Sequence, residues 1–261
     1  MSAPRIGFIG FGEAASAIAE GLQCEGVSDI AAFDVQAIED RSAGVGVDVV
    51  ETPGELAQRT DIIFSAVVAK AAVGAAESVA SDLTAHHLYV DLNSASPAVK
   101  QEVAGIIEPS GASFVEASVM SAVPPLGHRV PMLLGGKGAA RFAELMRPFG
   151  MQLEVLGEDV GPASAIKMFR SVMIKGLEAL VLECRQGARL FDAEERVFRS
   201  LSESFPGLDW NELADYLSER TRVHGERRGR EMEEAAKTLE ALGVEPIMAA
   251  AAAKRLLAGD K

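Results

Sequence analysis

Near its N-terminus the chain reads Gly7-Phe8-Ile9-Gly10-Phe11-Gly12-Glu13-Ala14-Ala15, an apolar run that breaks into closely spaced glycines and then into strong helix formers. The pattern Gly10-x-Gly12-x-x-Ala15 demands a strand, a tight turn and a helix packed close against that strand. Gly10 permits the turn, Gly12 opens backbone N–H groups to an approaching pyrophosphate, and Ala15 allows close helix–strand packing. The start of the helix adds unpaired N–H groups and the positive end of its dipole, which together make an anion seat. Phe11, Glu13 and Ala14 complete the loop and are candidate cofactor contacts.

A second apolar run, Ile30 to Phe33, ends at Asp34. This is the spacing after the glycines at which an acid binds the hydroxyls of an adenosine ribose. Its carboxylate repels a 2′-phosphate, and Val35, Gln36 and Ala37 bring no positive charge. NAD is therefore favoured, with NADP left open.

From Arg5 to Leu156, short aliphatic runs alternate with helical patterns: Arg5 to Ile9, Ile30 to Asp34, Ile62 to Val67, Leu88 to Leu92, Ser113 to Val119, Pro131 to Leu134 and Gln152 to Leu156. Such alternation predicts βαβ units feeding a mostly parallel sheet, and near-continuous apolarity predicts strands buried on both faces. After Gly161 the strand-like runs stop. Everything to Gly259 reads as helix, interrupted at Phe205-Pro206-Gly207 and at Leu242 to Pro246. The expected class is α/β: a doubly wound Rossmann domain over 1–160, then a smaller all-helical domain over 161–261.

Composition removes several functions. A net charge of -13 opposes binding to nucleic acid. Cys24 and Cys184 lack the spacing of a disulfide framework or a zinc site, so no metal is expected. The first residues lack the regions of a signal peptide, and Ile62 to Val68 and Ile247 to Ala253 are too short to span a bilayer. A soluble, cytoplasmic protein with no membrane partner is the expectation.

The helix starting at Pro162 is apolar around most of its circumference, through Ala163, Ile166, Met168, Phe169, Val172, Met173, Leu177, Leu180 and Val181, and is expected to be largely buried. Ser164, Lys167, Ser171, Lys175 and Glu178 stack on one face and are expected to meet water or a cleft. Arg170 borders that stripe. Apolar surroundings and a neighbouring cation disfavour an ammonium, which suits Lys167 to general acid–base work.

Four segments resemble the β-hydroxyacid dehydrogenase and 6-phosphogluconate dehydrogenase superfamily, in order and in spacing. Gly7 to Ala15 is similar to its cofactor loop, and Asp91-Leu92-Asn93-Ser94-Ala95-Ser96-Pro97 to its Asp-x-Ser-Thr-x-x-Pro segment. Glu116 to Val123 is similar to its Asp-Ala-Pro-Val-Ser-Gly-Gly substrate segment, and Gly161 to Ser171 to its Gly-x5-Lys-x-x-Asn-Asn helix.

The resemblance implies that Lys167 exchanges the proton of a substrate hydroxyl while hydride passes to or from the nicotinamide. It implies further that Ala66, Val67, Asn93 and Ser94 border the cofactor, and that Ser121, Ala122 and Ser171 face the substrate. Ala122, Val123, Arg170 and Ser171 depart from the family's residues, so the resemblance leaves the substrate's identity open. Arg170 and His224 offer groups for a substrate carboxylate, which points to a small acid. Arg222-Val223-His224-Gly225-Glu226-Arg227-Arg228 resembles the helical domain of a short branch, and a homodimer is expected. Two other activities fit the architecture: an imine reductase, in which Asp or Tyr usually replaces the lysine, and a dinucleotide-sensing protein without turnover.

Overall fold

The computed structural model describes residues 3–259 and divides the chain into two compact units, one ending at Lys167 and the other beginning at Met168. The first is built from β1 (Ile6–Ile9), α1 (Glu13–Cys24), β2 (Ile30–Phe33), α2 (Glu39–Val45), β3 (Asp48–Val49), α3 (Pro53–Arg59) and β4 (Ile62–Ser65). It continues through α4 (Ala72–Ala80), β5 (Leu88–Asp91), α5 (Pro97–Ile107), β6 (Ser113–Val119), β7 (Met132–Gly135), α6 (Ala139–Met146) and β8 (Leu153–Val155). The strands form a single sheet in the order β3-β2-β1-β4-β5-β6-β7-β8. All neighbours are parallel except β6 and β7, which pair antiparallel from Glu116↔Gly135 to Val119↔Met132. This is the doubly wound Rossmann sheet, with strand order reversing between β1 and β4.

The apolar runs feed both faces of the sheet because side chains alternate along a strand. Phe8, Phe64, Val90 and Val115 enter one core with Ile18, Leu22 and Phe142, while Ile9, Ile63, Tyr89 and Phe114 enter the other with Leu56, Val79 and Val103. Phe8 stacks on Phe64 at 5.2 Å, and Phe64 meets Phe142 edge-on at 5.7 Å. Pairs of this kind add about 0.5–1.5 kcal/mol beyond the area they bury. Helix starts follow local chemistry: Thr52 accepts from the N–H of Glu55 ahead of Pro53, and Ser96 accepts from Val99 ahead of Pro97. The two-residue β3 was not expected; Asp48 and Val49 are both exposed, so the strand lacks the apolar signature of its neighbours. Between β6 and β7 the chain makes a long excursion from Met120 to Pro131.

The second unit holds the larger part of α7 (Pro162–Arg189), with α8 (Glu194–Ser204), α9 (Trp210–Ala241) and α10 (Ile247–Ala258). Helix α10 lies close on α9 because both surfaces are small. A Cβ on Gly229 would fall 2.6 Å from Leu257 Cγ, and one on Gly225 would fall 3.1 Å from the Leu256 carbonyl. Ala249, Ala252 and Ala253 complete that contact with Met232 and Leu182. A break at Leu190 to Ala193 separates α7 from α8, where the sequence carries no strong breaker and Asp192 takes a positive φ of 49°.

Two expectations for α7 are corrected. Ser164, Lys175 and Glu178 are buried and do not face water or a cleft, whereas Ile166, Phe169, Met173 and Leu180 are exposed, Met173 at 74%. Ser164 is bonded to Glu116 and Gly161, and for Lys175 and Glu178 the cause lies on α9, where Thr221, Arg228 and Glu231 share a face. Glu178 accepts from Thr221 Oγ1 and pairs with both nitrogens of the Arg228 fork, and Lys175 pairs with Glu231. Burial pushes the Lys175 amine below its ordinary value, and the Glu231 carboxylate pulls it back up. Charges turn inward here because partner charges wait for them, and the apolar flank is left outside.

Removing one member of a buried ion pair costs about 3–5 kcal/mol, because the other charge stays buried alone. Glu178→Ala is therefore expected to destabilise the helical unit by that amount, while the double change Glu178→Leu with Arg228→Met recovers most of it. The single tryptophan, Trp210, sits in this unit, so its fluorescence in a urea titration reads the transition directly.

Candidate active site

Ligands of open parallel sheets bind beyond the carboxyl ends of the strands, at the point where strand order reverses. The residues following β1, β2, β4, β5 and β6 include Gly10 to Gly12, Asp34, Ala66 and Val67, Asn93 and Ser94, and Ser121. The topology thus gathers these sequence-selected residues of the first unit on one edge of the sheet.

The loop after β1 fits a dinucleotide pyrophosphate. Gly10 takes a φ of +85°, and a Cβ there would fall 2.6 Å from Val67 Cγ1 and 2.8 Å from the Ala66 carbonyl. Gly12, at the N-terminus of α1, has no heavy atom within 4 Å of where a Cβ would sit, and no side chain caps that helix. One glycine thus serves the backbone, and the other keeps open the space in front of the unpaired N–H groups. Glu13 and Ala14 are exposed at the same end.

Asp34 lies just past β2. Its Oδ2 accepts from the Phe11 N–H at 2.8 Å and its Oδ1 from the Gln36 N–H at 2.9 Å, so the acid is tied to the glycine loop. Arg41, on α2, donates to the Phe11 carbonyl at 2.7 Å. The sequence gives little sign of this cation, because it stands seven positions after Asp34 and not among the residues that directly follow the acid.

Beyond β4 and β5 two loops are locked together. Asn93 is buried; its Oδ1 accepts from the Val67 N–H at 2.7 Å and its Nδ2 donates to Ser65 Oγ at 2.9 Å. Its own N–H goes to Asp91 Oδ1 at 2.9 Å. Asp91 is fully buried beside the equally buried Lys100, whose Nζ lies 3.1 Å from Oδ1 and donates to the Asp91 carbonyl at 2.8 Å. Asn93 therefore braces the loop, and Ser94, the next residue, is exposed.

Lys167 Nζ donates to Ser94 Oγ at 2.8 Å, which joins the lysine and serine selected from separate segments. The start of α7 is held by Glu116 of β6, a fully buried carboxylate. Its Oε2 accepts from the Gly161 N–H and its Oε1 from the Ser164 N–H, each at 2.7 Å. Glu116 carried no assigned role in the sequence, although it opens the segment resembling the substrate motif.

Ser121 and Ala122 are exposed in the excursion after β6. Further along it, the buried His128 packs over Gly21 of α1, where a Cβ would fall 2.0 Å from Nδ1. Arg170, Ser171 and His224 belong to the helical unit; Arg170 and His224 are exposed and Ser171 is half-buried. Among the described residues, no group of three His, Cys, Asp or Glu side chains could hold a metal ion, and no helix is long and apolar enough to cross a membrane.

The two glycines of the loop separate by experiment. Gly12→Ser keeps a good N-cap residue and is expected to leave thermal stability unchanged while raising the NADH Kd about tenfold or more, or about 1.4 kcal/mol. Gly10→Ala, at a positive φ and without room, is expected to cost about 1–3 kcal/mol of stability. Wild-type NADH affinity in folded Gly12→Ser, read by NADH fluorescence, would show that the phosphates are seated elsewhere.

Residues 5–95 match the family described as NADP oxidoreductase, coenzyme F420-dependent, and residues 188–258 match the Domain of unknown function (DUF1932). A conserved hypothetical protein from Sinorhizobium meliloti 1021 has a solved structure 41% identical to this chain, covering 98% of this chain and 88% of its own at a TM-score of 0.84. A conserved protein of unknown function, whose structure is described as similar to 3-hydroxyacid dehydrogenases, is 30% identical, with 97% and 95% covered and a TM-score of 0.82. The 2-(hydroxymethyl)glutarate dehydrogenase of Eubacterium barkeri is 26% identical over 77% of this chain and 70% of its own. Solved 3-hydroxyisobutyrate dehydrogenases and imine reductases, at 15% to 22% identity, share the fold. With relatives at 41% and 30% identity matched over most of both chains, the chain belongs to their 3-hydroxyacid dehydrogenase-like family, in the branch with a short helical C-terminal domain.

Proposed function

We propose that this protein is an NAD-dependent dehydrogenase that interconverts the carbinol and carbonyl forms of a small β-hydroxy acid, with Lys167 as general acid and base. The observation that carries the proposal is the 2.8 Å bond from Lys167 Nζ to Ser94 Oγ, at the end of β5. Gly10, Phe11, Gly12, Glu13 and Ala14 would hold the pyrophosphate end of the dinucleotide, Asp34 its adenosine ribose, and Ala66, Val67 and Asn93 would border it on the next loops. When bound, the nicotinamide supplies the acceptor for the hydride that leaves the carbinol carbon.

The chain's own part is to bind, orient and move a proton. Ser94 accepts a hydrogen bond from Lys167 and so holds the amine at one place over the strand end. In oxidation the neutral amine takes the proton of the substrate hydroxyl, and in reduction the ammonium returns it to the carbonyl oxygen. A positioned acid or base of this kind contributes about 10²–10⁴ in rate. Ser121 and Ala122 are candidate substrate contacts, and Arg170, Ser171 and His224 are candidates by their chemistry, Arg170 because its planar fork suits a carboxylate.

Asp34 supports NAD as the preferred cofactor, since its carboxylate opposes a 2′-phosphate, and Arg41 of α2, bonded to the same glycine loop, keeps NADP within reach. A lysine bonded to a serine hydroxyl favours carbinol chemistry over imine reduction, since the imine reductase branch usually carries Asp or Tyr at this position. Relatives named for 3-hydroxyisobutyrate and 2-(hydroxymethyl)glutarate support a small hydroxy acid as the substrate class.

Lys167→Met is expected to keep NADH affinity and to lower turnover by about 10² or more. The measurement is NADH formation at alkaline pH over 3-hydroxyisobutyrate, 3-hydroxybutyrate, L-serine and 2-(hydroxymethyl)glutarate. Cofactor binding with no turnover of any of them by wild type would favour a dinucleotide sensor instead.

The exposed Met173, Ile174 and Leu180 of α7 support a homodimer, because one chain alone leaves this apolar flank in water. Met173→Glu with Leu180→Glu is expected to yield monomers in sedimentation; an unchanged mass would remove α7 from the interface.

A further inference from the structure

We infer that Glu116 is a positioning residue that sets the reach of Lys167, an inference that rests on Lys167 being the proton-transfer group. The opening turns of a helix leave N–H groups that something must meet. The first turn of α7 carries no acidic residue of its own. Its partner comes from β6 instead: both oxygens of the Glu116 carboxylate are used, one on Gly161 and one on Ser164. All three residues are buried, so water does not substitute for the carboxylate. Bonds from N–H groups to a charged carboxylate are about twice as strong as neutral ones, and a negative charge is stabilised by the positive end of the helix dipole here.

The surroundings are built for that carboxylate. A Cβ on Gly135, the in-register neighbour on β7, would fall 2.9 Å from Glu116 Oε2, so only glycine leaves the space. Gly161 takes a φ of +122°, a backbone state that other residues resist, and its N–H meets the acid from there. Ser164 closes the turn by donating from Oγ to the Gly161 carbonyl at 3.0 Å.

From Ser164 to Lys167 is one turn on the same helix face. On the other side, Glu116 pairs in register with Asp91, whose Oδ1 holds the Asn93 N–H next to Ser94. Two adjacent positions of one strand pair therefore locate both ends of the Lys167–Ser94 bond. A misplacement of about 1 Å at a reacting group costs about 10²-fold in rate, so the carboxylate acts on turnover through the lysine it positions.

The test compares wild type, Glu116→Gln, Glu116→Asp and Lys167→Met. It measures NADH Kd by fluorescence, then kcat, KM and the pH profile of kcat on the hydroxy acid of the above panel that is turned over fastest. Glutamine offers one acceptor oxygen and sets an NH2 group against a backbone N–H. It is expected to lower kcat about 10- to 100-fold, to leave NADH Kd within about twofold, and to move the pH limb that Lys167→Met lacks toward lower pH. Aspartate keeps the charge on a shorter arm and is expected to fall between glutamine and wild type. A folded Glu116→Gln protein with wild-type kcat and pH profile, and only a lower Tm, overturns the inference and leaves Glu116 as a cap. If glutamine prevents folding, Glu116→Asp decides: a kcat reduced at constant NADH Kd supports positioning, and a wild-type kcat overturns it. Full activity in Lys167→Met overturns the acid–base reading and this inference with it, whereas an inactive Lys167→Met beside a wild-type-like Glu116→Gln overturns the inference alone.

Discussion

A carboxylate with no exposure to water, accepting two backbone N–H groups from the start of a helix, is the constraint around which the candidate-site edge of the sheet is arranged. Burying such a charge costs several kcal/mol unless its lone pairs are met. Glu116 meets that cost with charge-assisted bonds to Gly161 and Ser164, and the backbone has adapted to it at Gly135 and Gly161. Next to it in the sheet, Asp91 offsets its own burial with Lys100 and the Asn93 N–H. Two acids on neighbouring strands, both hidden from solvent, thereby tie a helix and a loop to the same register.

Much of the first unit was legible because its signals are local. The glycine loop, the apolar strands and the acid after β2 each declare themselves within a few residues. Lys167 and Ser94 were legible as separate segments, and their contact needed the sheet. Glu116 was not legible as a clamp, because nothing in its neighbourhood announces that its acceptors are used by a turn forty-five positions later. Arg41 escaped for a similar reason: its partner is a carbonyl in the glycine loop, thirty positions earlier.

In the helical unit the inference from amphipathicity failed in an instructive way. A polar stripe on an apolar helix reads as a solvated face when the helix is considered alone. Lys175 and Glu178 instead meet Glu231 and Arg228 across α9. The same rule that sends isolated charges outward draws them inward when counter-charges line the facing helix. The apolar residues displaced to the outer flank, Met173 and Leu180 among them, are left exposed.

The excursion between β6 and β7 is far longer than its endpoints require, since antiparallel neighbours can be joined by a two-residue turn. Strand pairing resumes at Met132 whatever the chain does in between, and His128 over Gly21 pins the return. The exposed stretch around Ser121 and Ala122 therefore takes no part in the strand pairing, although Val123 and His128 further along are buried. A chain built this way can vary that loop while the Lys167–Ser94 bond and the strand pair beneath it stay in place.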